Sequence, residues 1–178
     1  LSIRRQRQMC IRDSASAVGY GNNAGGVASS AFGFSNVAKV DYASAFGYSN
    51  EASGLASSAV GFRNKAASEN ASAVGYGNNA NALAASAVGY NNTAGGVGSS
   101  TIGYNNTATN ENASAFGYGN TAGGLASSAF GFSNTASGDN ANAFGYNNIA
   151  SGSKSNVFGT GNTVSGSSST AVGTSNCL

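Results

Sequence analysis

Glycine returns every 14 residues without a slip, at Gly19, Gly33, Gly47, Gly61, Gly75, Gly89, Gly103, Gly117, Gly131, Gly145, Gly159 and Gly173. A period kept that strictly means that one small unit is copied and stacked, so the repeat sets the architecture before any single residue does. It also moves the functional question. A stack of near-identical coils makes a rod or a binding surface more readily than an enzyme.

Numbered from its glycine, the unit hardly varies. The residue before it is Val, Ile or Phe in every copy, from Val18 and Phe32 to Phe158 and Val172. The residue after it is Tyr or Phe from Tyr20 to Tyr146, then Thr160 and Thr174. Three after it is always Asn: Asn22, Asn36, Asn50, Asn64, Asn78, Asn92, Asn106, Asn120, Asn134, Asn148, Asn162 and Asn176. Ala stands two before it, except at Thr101 and Val157, and five after it from Ala24 to Ala150, then Val164. Seven after it is usually Gly, as at Gly26, Gly54 and Gly138.

A 14-residue period is also two heptads, but a coiled coil fails on composition. Each unit carries glycine with Asn, Ser and β-branched or aromatic residues, all poor in a helix interior. A glycine there costs about 1 kcal/mol against Ala, repeated in every unit. Short strands fit. Ser30-Ala31-Phe32-Gly33-Phe34 alternates small and large side chains with period two. A polar turn at Asn36 follows, then a short segment centred on Ala38, then a second turn.

Two strands of about four to five residues and two tight turns fill one coil of a narrow parallel β-solenoid, hydrogen-bonded to its neighbours. About twelve coils make a rod of roughly 57 Å. The thin interior accounts for Ala and Gly. Glycine is expected at corners that need positive φ, and Asn as a stacked amide ladder. Such a coil encloses little apolar volume, yet Phe32 and Phe34, or Phe46 and Tyr48, share one face by parity. Stacked, these pairs form an apolar strip that one narrow coil does not bury, and an exposed strip of that size marks an interface. Parallel, in-register chains around a common axis, three of them, are expected to cover it. Which large position faces the coil interior and which lines the seam stays open.

The net charge of +2 misleads. Arg4, Arg5, Arg7 and Arg12 precede the first repeat, offset there by Asp13 alone. The remainder has Lys39, Arg63, Lys65 and Lys154 against Asp41, Glu51, Glu69, Glu111 and Asp139, a net of −1. The repeats therefore give no electrostatic case for nucleic acid or anionic membranes. Residues 4–13 resemble the in-frame translation of a transposase-type sequencing-library adapter, and Cys177-Leu178 resembles the start of its reverse complement. Residues 1–13 are accordingly read as adapter read-through, 14–176 as the head repeats and 177–178 as a possible remnant. Met9, Cys10 and Cys177 then all fall outside the repeats. The authentic part is expected to be an internal piece of a longer protein, with no disulfide and no thiolate metal site.

Blocks such as Asn70-Ala71-Ser72-Ala73-Val74-Gly75 and Asn112-Ala113-Ser114-Ala115-Phe116-Gly117, with Ala122-Gly123-Gly124 as a second half, resemble the head repeat of trimeric autotransporter adhesins, the Yersinia-adhesin-like head family. The resemblance covers residues 14–176. It implies a left-handed parallel β-roll trimerised along its axis. It further implies display on a bacterial outer surface by a stalk and a C-terminal membrane barrel outside this chain, and adhesion to host matrix, cells or other surfaces. The chain departs from the family pattern in the aromatic residue after glycine and in Asn for Ser in the second turn.

Other motifs have plainer readings. Gly19-Tyr20-Gly21 and Gly117-Tyr118-Gly119 lack the third glycine and following helix of a nucleotide loop. Asp41, Glu69, Glu111 and Asp139 share the position eight after glycine, alternating with Val27, Leu55, Leu83, Val97 and Leu125 but for one slip at Leu83 and Val97. Asp41 and Glu69 lie two coils apart, about 9.6 Å, too far to share one calcium ion. They read as solvated corner charges. Lys39-Val40-Asp41-Tyr42 is the one clustered polar deviation and reads as a tolerant corner. The tyrosines from Tyr20 to Tyr146 form a ladder that suits either a carbohydrate- or surface-binding face or the trimer seam. Thr93, Thr107, Thr121 and Thr135 form a short ladder of the kind used by ice-binding solenoids. Asn91-Asn92-Thr93 and similar sequons are by-products of Asn-rich turns. With no His and no repeat Cys, the chain reads as a non-enzymatic structural and adhesive head without cofactor or metal. Its alternatives are a phage tail-fibre shaft and, behind that, an ice-binding solenoid.

Overall fold

The computed structural model describes residues 14–178; the adapter-like segment 1–13 lies outside the described residues. Every described element is a β-strand. Five-residue strands run from Ser16–Tyr20 to Thr170–Thr174, alternating with two-residue strands from Asn23–Ala24 to Thr163–Val164. The long strands stack into one 12-stranded parallel sheet and the short ones into an 11-stranded parallel sheet, each in strict chain order. The architecture is thus a parallel β-solenoid. Each rung pairs with its own copy: Ser86 with Ser100, Gly89 with Gly103, Tyr90 with Tyr104. The second strand is shorter than the four to five residues expected, as at Thr93–Ala94, because the turns on either side take the rest of the coil. The pairing persists to the chain end, where Cys177 bridges to Thr163.

The interior is narrow and built from small side chains. Two alanines per coil, such as Ala87 and Ala94, are fully buried, as is a third small residue, Ala85 or Ser99, at the start of the long strand. Both large positions beside the glycine point outward instead. Val74 stays 37 % and Tyr76 41 % exposed. The question of which one faces inward is answered by neither: a cross-section lined by Ala on both walls leaves no room for a ring. The core enlarges on both walls in one coil, with Val157 and Val164 buried, and on one wall in another, where Thr101 is buried opposite Ala108.

The fourth buried residue of each coil is the asparagine. Asn92 donates from Nδ2 to Asn78 Oδ1 at 3.0 Å, to Val88 O at 3.0 Å and to Gly103 O at 2.7 Å. Its Oδ1 accepts from the backbone N–H of Asn106 at 2.9 Å and from Asn106 Nδ2 at 3.0 Å. The amide stack repeats from Asn22 to Asn176, and its buried members from Asn36 to Asn162 have their donors and acceptors satisfied.

The grid glycine is the counterpart of that amide. It sits inside the long strand, where the alternation of Ser30-Ala31-Phe32-Gly33-Phe34 places it. Gly89 has φ +118, and a Cβ there meets Gly103 O at 2.1 Å and Asn92 Nδ2 at 3.1 Å. Glycine alone has both the left-handed freedom and the missing carbon that this approach requires. The corners, expected to hold glycine, are mostly turned by ordinary residues at positive φ: Arg63 (φ 52), Asn91 (φ 51), Ala56 (φ 53) and Ala84 (φ 54). Each carries a cost of about 1–2 kcal/mol. Inter-coil bonds offset it, such as Asn91 N–H to Tyr76 O and Ala84 N–H to Glu69 O, both 2.9 Å.

Candidate functional site

The outward side of the long strands carries two parallel ladders. One column holds ten rings, Tyr20, Phe34, Tyr48, Phe62, Tyr76, Tyr90, Tyr104, Tyr118, Phe132 and Tyr146. Every neighbouring pair is stacked, with centroids 4.7–5.3 Å apart and planes within 16°. The other column, on the far side of the glycine, contains no polar atom. Phe32 stacks on Phe46, and Phe116, Phe130, Phe144 and Phe158 stack in turn, with Val60, Val74, Val88 and Ile102 between the two runs. In-register pairing creates both columns, because each side chain sits directly over its own copy in the next coil.

The geometry decides what this face can do. Near-parallel rings with centroids this close overlap face to face, since rings lying side by side are wider than that spacing. An interior ring such as Tyr90 therefore turns both faces to Tyr76 and Tyr104 and offers the outside its edge and hydroxyl. A sugar ring needs an open aromatic face, and the ladder keeps its faces for itself. What remains is a long apolar surface with hydroxyls along one side, the kind of contiguous patch that marks a protein interface. Arg63 sits at its edge, its guanidinium carbon 5.1 Å from the Phe62 centroid.

The remaining sequence motifs resolve into structural parts. Gly19 and Gly21 straddle a strand end, with φ +111 and +66, and the chain continues into the Asn ladder rather than into a helix. Asp41 Oδ1 accepts the N–H of Val27 at 2.7 Å and Asp139 Oδ1 that of Leu125 at 3.0 Å. These two acids tie one corner to the next and are not merely solvated, as their position had suggested. The described residues bring no three potential metal ligands together. Tyr42, within Lys39-Val40-Asp41-Tyr42, turns its corner at φ 59. Thr93, Thr107, Thr121 and Thr135 stand in register on the short strands, in a column one residue wide.

One device escaped the sequence reading. Where the second turn holds glycine, the residue three later is Ser: Gly54 with Ser57, whose Oγ accepts from Gly54 N at 3.1 Å and donates to Gly54 O at 2.7 Å. Where that glycine is replaced, the later residue is Ala, as in Val40 with Ala43 and Asn110 with Ala113. The covariation was visible in the sequence, masked by the tolerance of both positions for small residues. Gly138 with Ala141 is the exception.

Segments 24–50, 41–64, 52–78, 94–120, 122–148 and 136–155 match the family described as YadA head domain repeat (2 copies). Together they take in more than half of the chain. The chain belongs to this family. The glycine grid, the Asn column and the paired ladders are thus the parts of an adhesin head built from tandem coils. No curated protein matches the chain.

Proposed function

We propose that this array is the head of a surface-displayed trimeric adhesin, in which three parallel, in-register copies bury the aromatic face against one another. The observation that supports the reading is the pair of exposed ladders. They are the largest apolar surface of a coil whose own core is complete without them. A three-fold ring sets one column of each copy beside the neighbouring copy, and parallel orientation lets every coil meet its equivalent. The column without polar atoms suits the dry centre of such a seam, and the tyrosine column its wetter margin. Membership of the head-repeat family supports display on a bacterial outer surface and adhesion to host matrix, cells or other surfaces. The residues at 1–13 are read as foreign to this head.

The mass in solution tests the seam. A trimer sediments at about three times the 17.3 kDa of one chain. A folded, soluble monomer overturns the reading. Binding of the intact trimer to immobilised matrix proteins and to cultured cells tests adhesion, and failure on all of them leaves a rod with no adhesive role.

A further inference from the structure

The seam reading leaves a row of apolar side chains on the outside. Eight residues after each grid glycine the chain turns a corner at the opposite end of the long strand from the paired ladders. There Leu55, Leu83, Val97 and Leu125 are 43–45 % exposed. Between and around these apolar rungs, in the same column, stand Asp41, Glu69, Glu111 and Asp139. The two kinds of rung are locked side by side. The corner backbone is fixed at positive φ in coil after coil, as at Ala56, Asn70, Ala84 and Asn112. Asp41 and Asp139 are further pinned to the backbone N–H of the neighbouring apolar rung.

Glu69 and Glu111 differ. Their carboxylates are exposed and have no hydrogen bond or ion pair among the described residues. They flank the adjacent rungs Leu83 and Val97, one coil away on each side. The result is an acid, two apolar side chains and an acid at successive coils. That motif continues outward through Leu55 to Asp41 on one side and Leu125 to Asp139 on the other. No Lys or Arg stands in the column to neutralise it.

Resting on the trimer reading above, we propose that this stripe is the docking track for an extended polypeptide carrying interspersed basic and apolar side chains. Charge complementarity selects the basic groups, and the half-exposed Leu and Val rungs supply the apolar contact. The shape selects a linear partner. The stripe is one residue wide, and it runs about 38 Å from the Val27 coil to the Asp139 coil. An extended chain of roughly 12 residues spans that length. A lipid surface is a poor fit, because the acids repel anionic headgroups and the rungs sit singly rather than over a broad face.

The test uses the intact trimer, its mass checked first, and synthetic peptides of about 15 residues, long enough to cover the stripe. A repeating Lys-Ala-Leu peptide binds, with affinity that falls as salt rises. Its Glu-Ala-Leu counterpart does not bind, and a Lys-Ala-Ser version binds more weakly. The double variant E69Q/E111Q weakens the Lys-Ala-Leu peptide about tenfold and flattens its salt dependence. The double variant L83S/V97S weakens it by a similar factor and keeps the salt dependence. Both variants remain trimers of unchanged mass, since these side chains lie outside the seam. The proposal is overturned if the basic peptide ignores a correctly assembled trimer, if the acidic peptide binds equally well, or if both variants bind as the parent does. A protein that sediments as a monomer sinks the seam reading instead, and with it the argument that the stripe is the apolar surface left over.

Discussion

The inside and the outside of each coil carry ladders of the same pitch with opposite degrees of completion. Inside, Asn78, Asn92 and Asn106 pass hydrogen bonds from coil to coil, and every amide is matched to a partner made by the same repeat. Outside, Tyr76, Tyr90 and Tyr104 stack just as regularly, yet their edges end in solvent. The interior ladder closes within one chain because an amide has donors and acceptors pointing both along the column and across to the wall. Stacking satisfies rings only along the column. The difference teaches that the fold and the assembly are separable in this head: the amide column holds the coil, and the aromatic columns are free to hold other copies.

That separation can be broken from the inside first. Gly103→Ala places a Cβ at 2.1 Å from Gly117 O and at a φ hostile to side chains, with an expected loss of about 4 kcal/mol in denaturant unfolding. Asn92→Ala removes the amide and strands the buried partners on both neighbouring coils, costing about 3 kcal/mol. Because each coil contacts only its neighbours, hydrogen exchange should show the damage concentrated within a coil or two of the substitution. An even loss of protection along the whole rod would contradict the nearest-neighbour picture.

From the outside the expected outcome is the reverse. Val88→Asp puts a charge into the hydrocarbon column, at a half-buried side chain outside the alanine core. Sedimentation is expected to shift from trimer to monomer, while circular dichroism keeps its β signature. A variant that stays trimeric places the seam elsewhere. The smallest effect belongs to the corners. Ala84→Gly relieves a left-handed alanine at φ 54 but loosens the unfolded chain, and the two terms leave a change within about 1 kcal/mol. Set beside Gly103→Ala, it separates a position that needs only the conformation from one that also needs the empty space.

The sequence determined the solenoid by itself. A period of 14 that never slips, with Ala and Gly where a core should be, admits stacked short strands and little else. The apolar strip was equally legible, because alternation puts Phe32 and Phe34 on one side whatever the rest of the coil does. The same alternation put the glycine inside the strand, and only the tertiary structure decided why it is glycine. In space, the neighbouring coil's carbonyl and the asparagine amide converge on the missing carbon, a contact between residues 11 apart, such as Asn92 and Gly103. The same holds for Asp41. Its role as a cap depends on the Val27 N–H lying one coil below, and one-dimensional spacing does not carry the direction in which an N–H points.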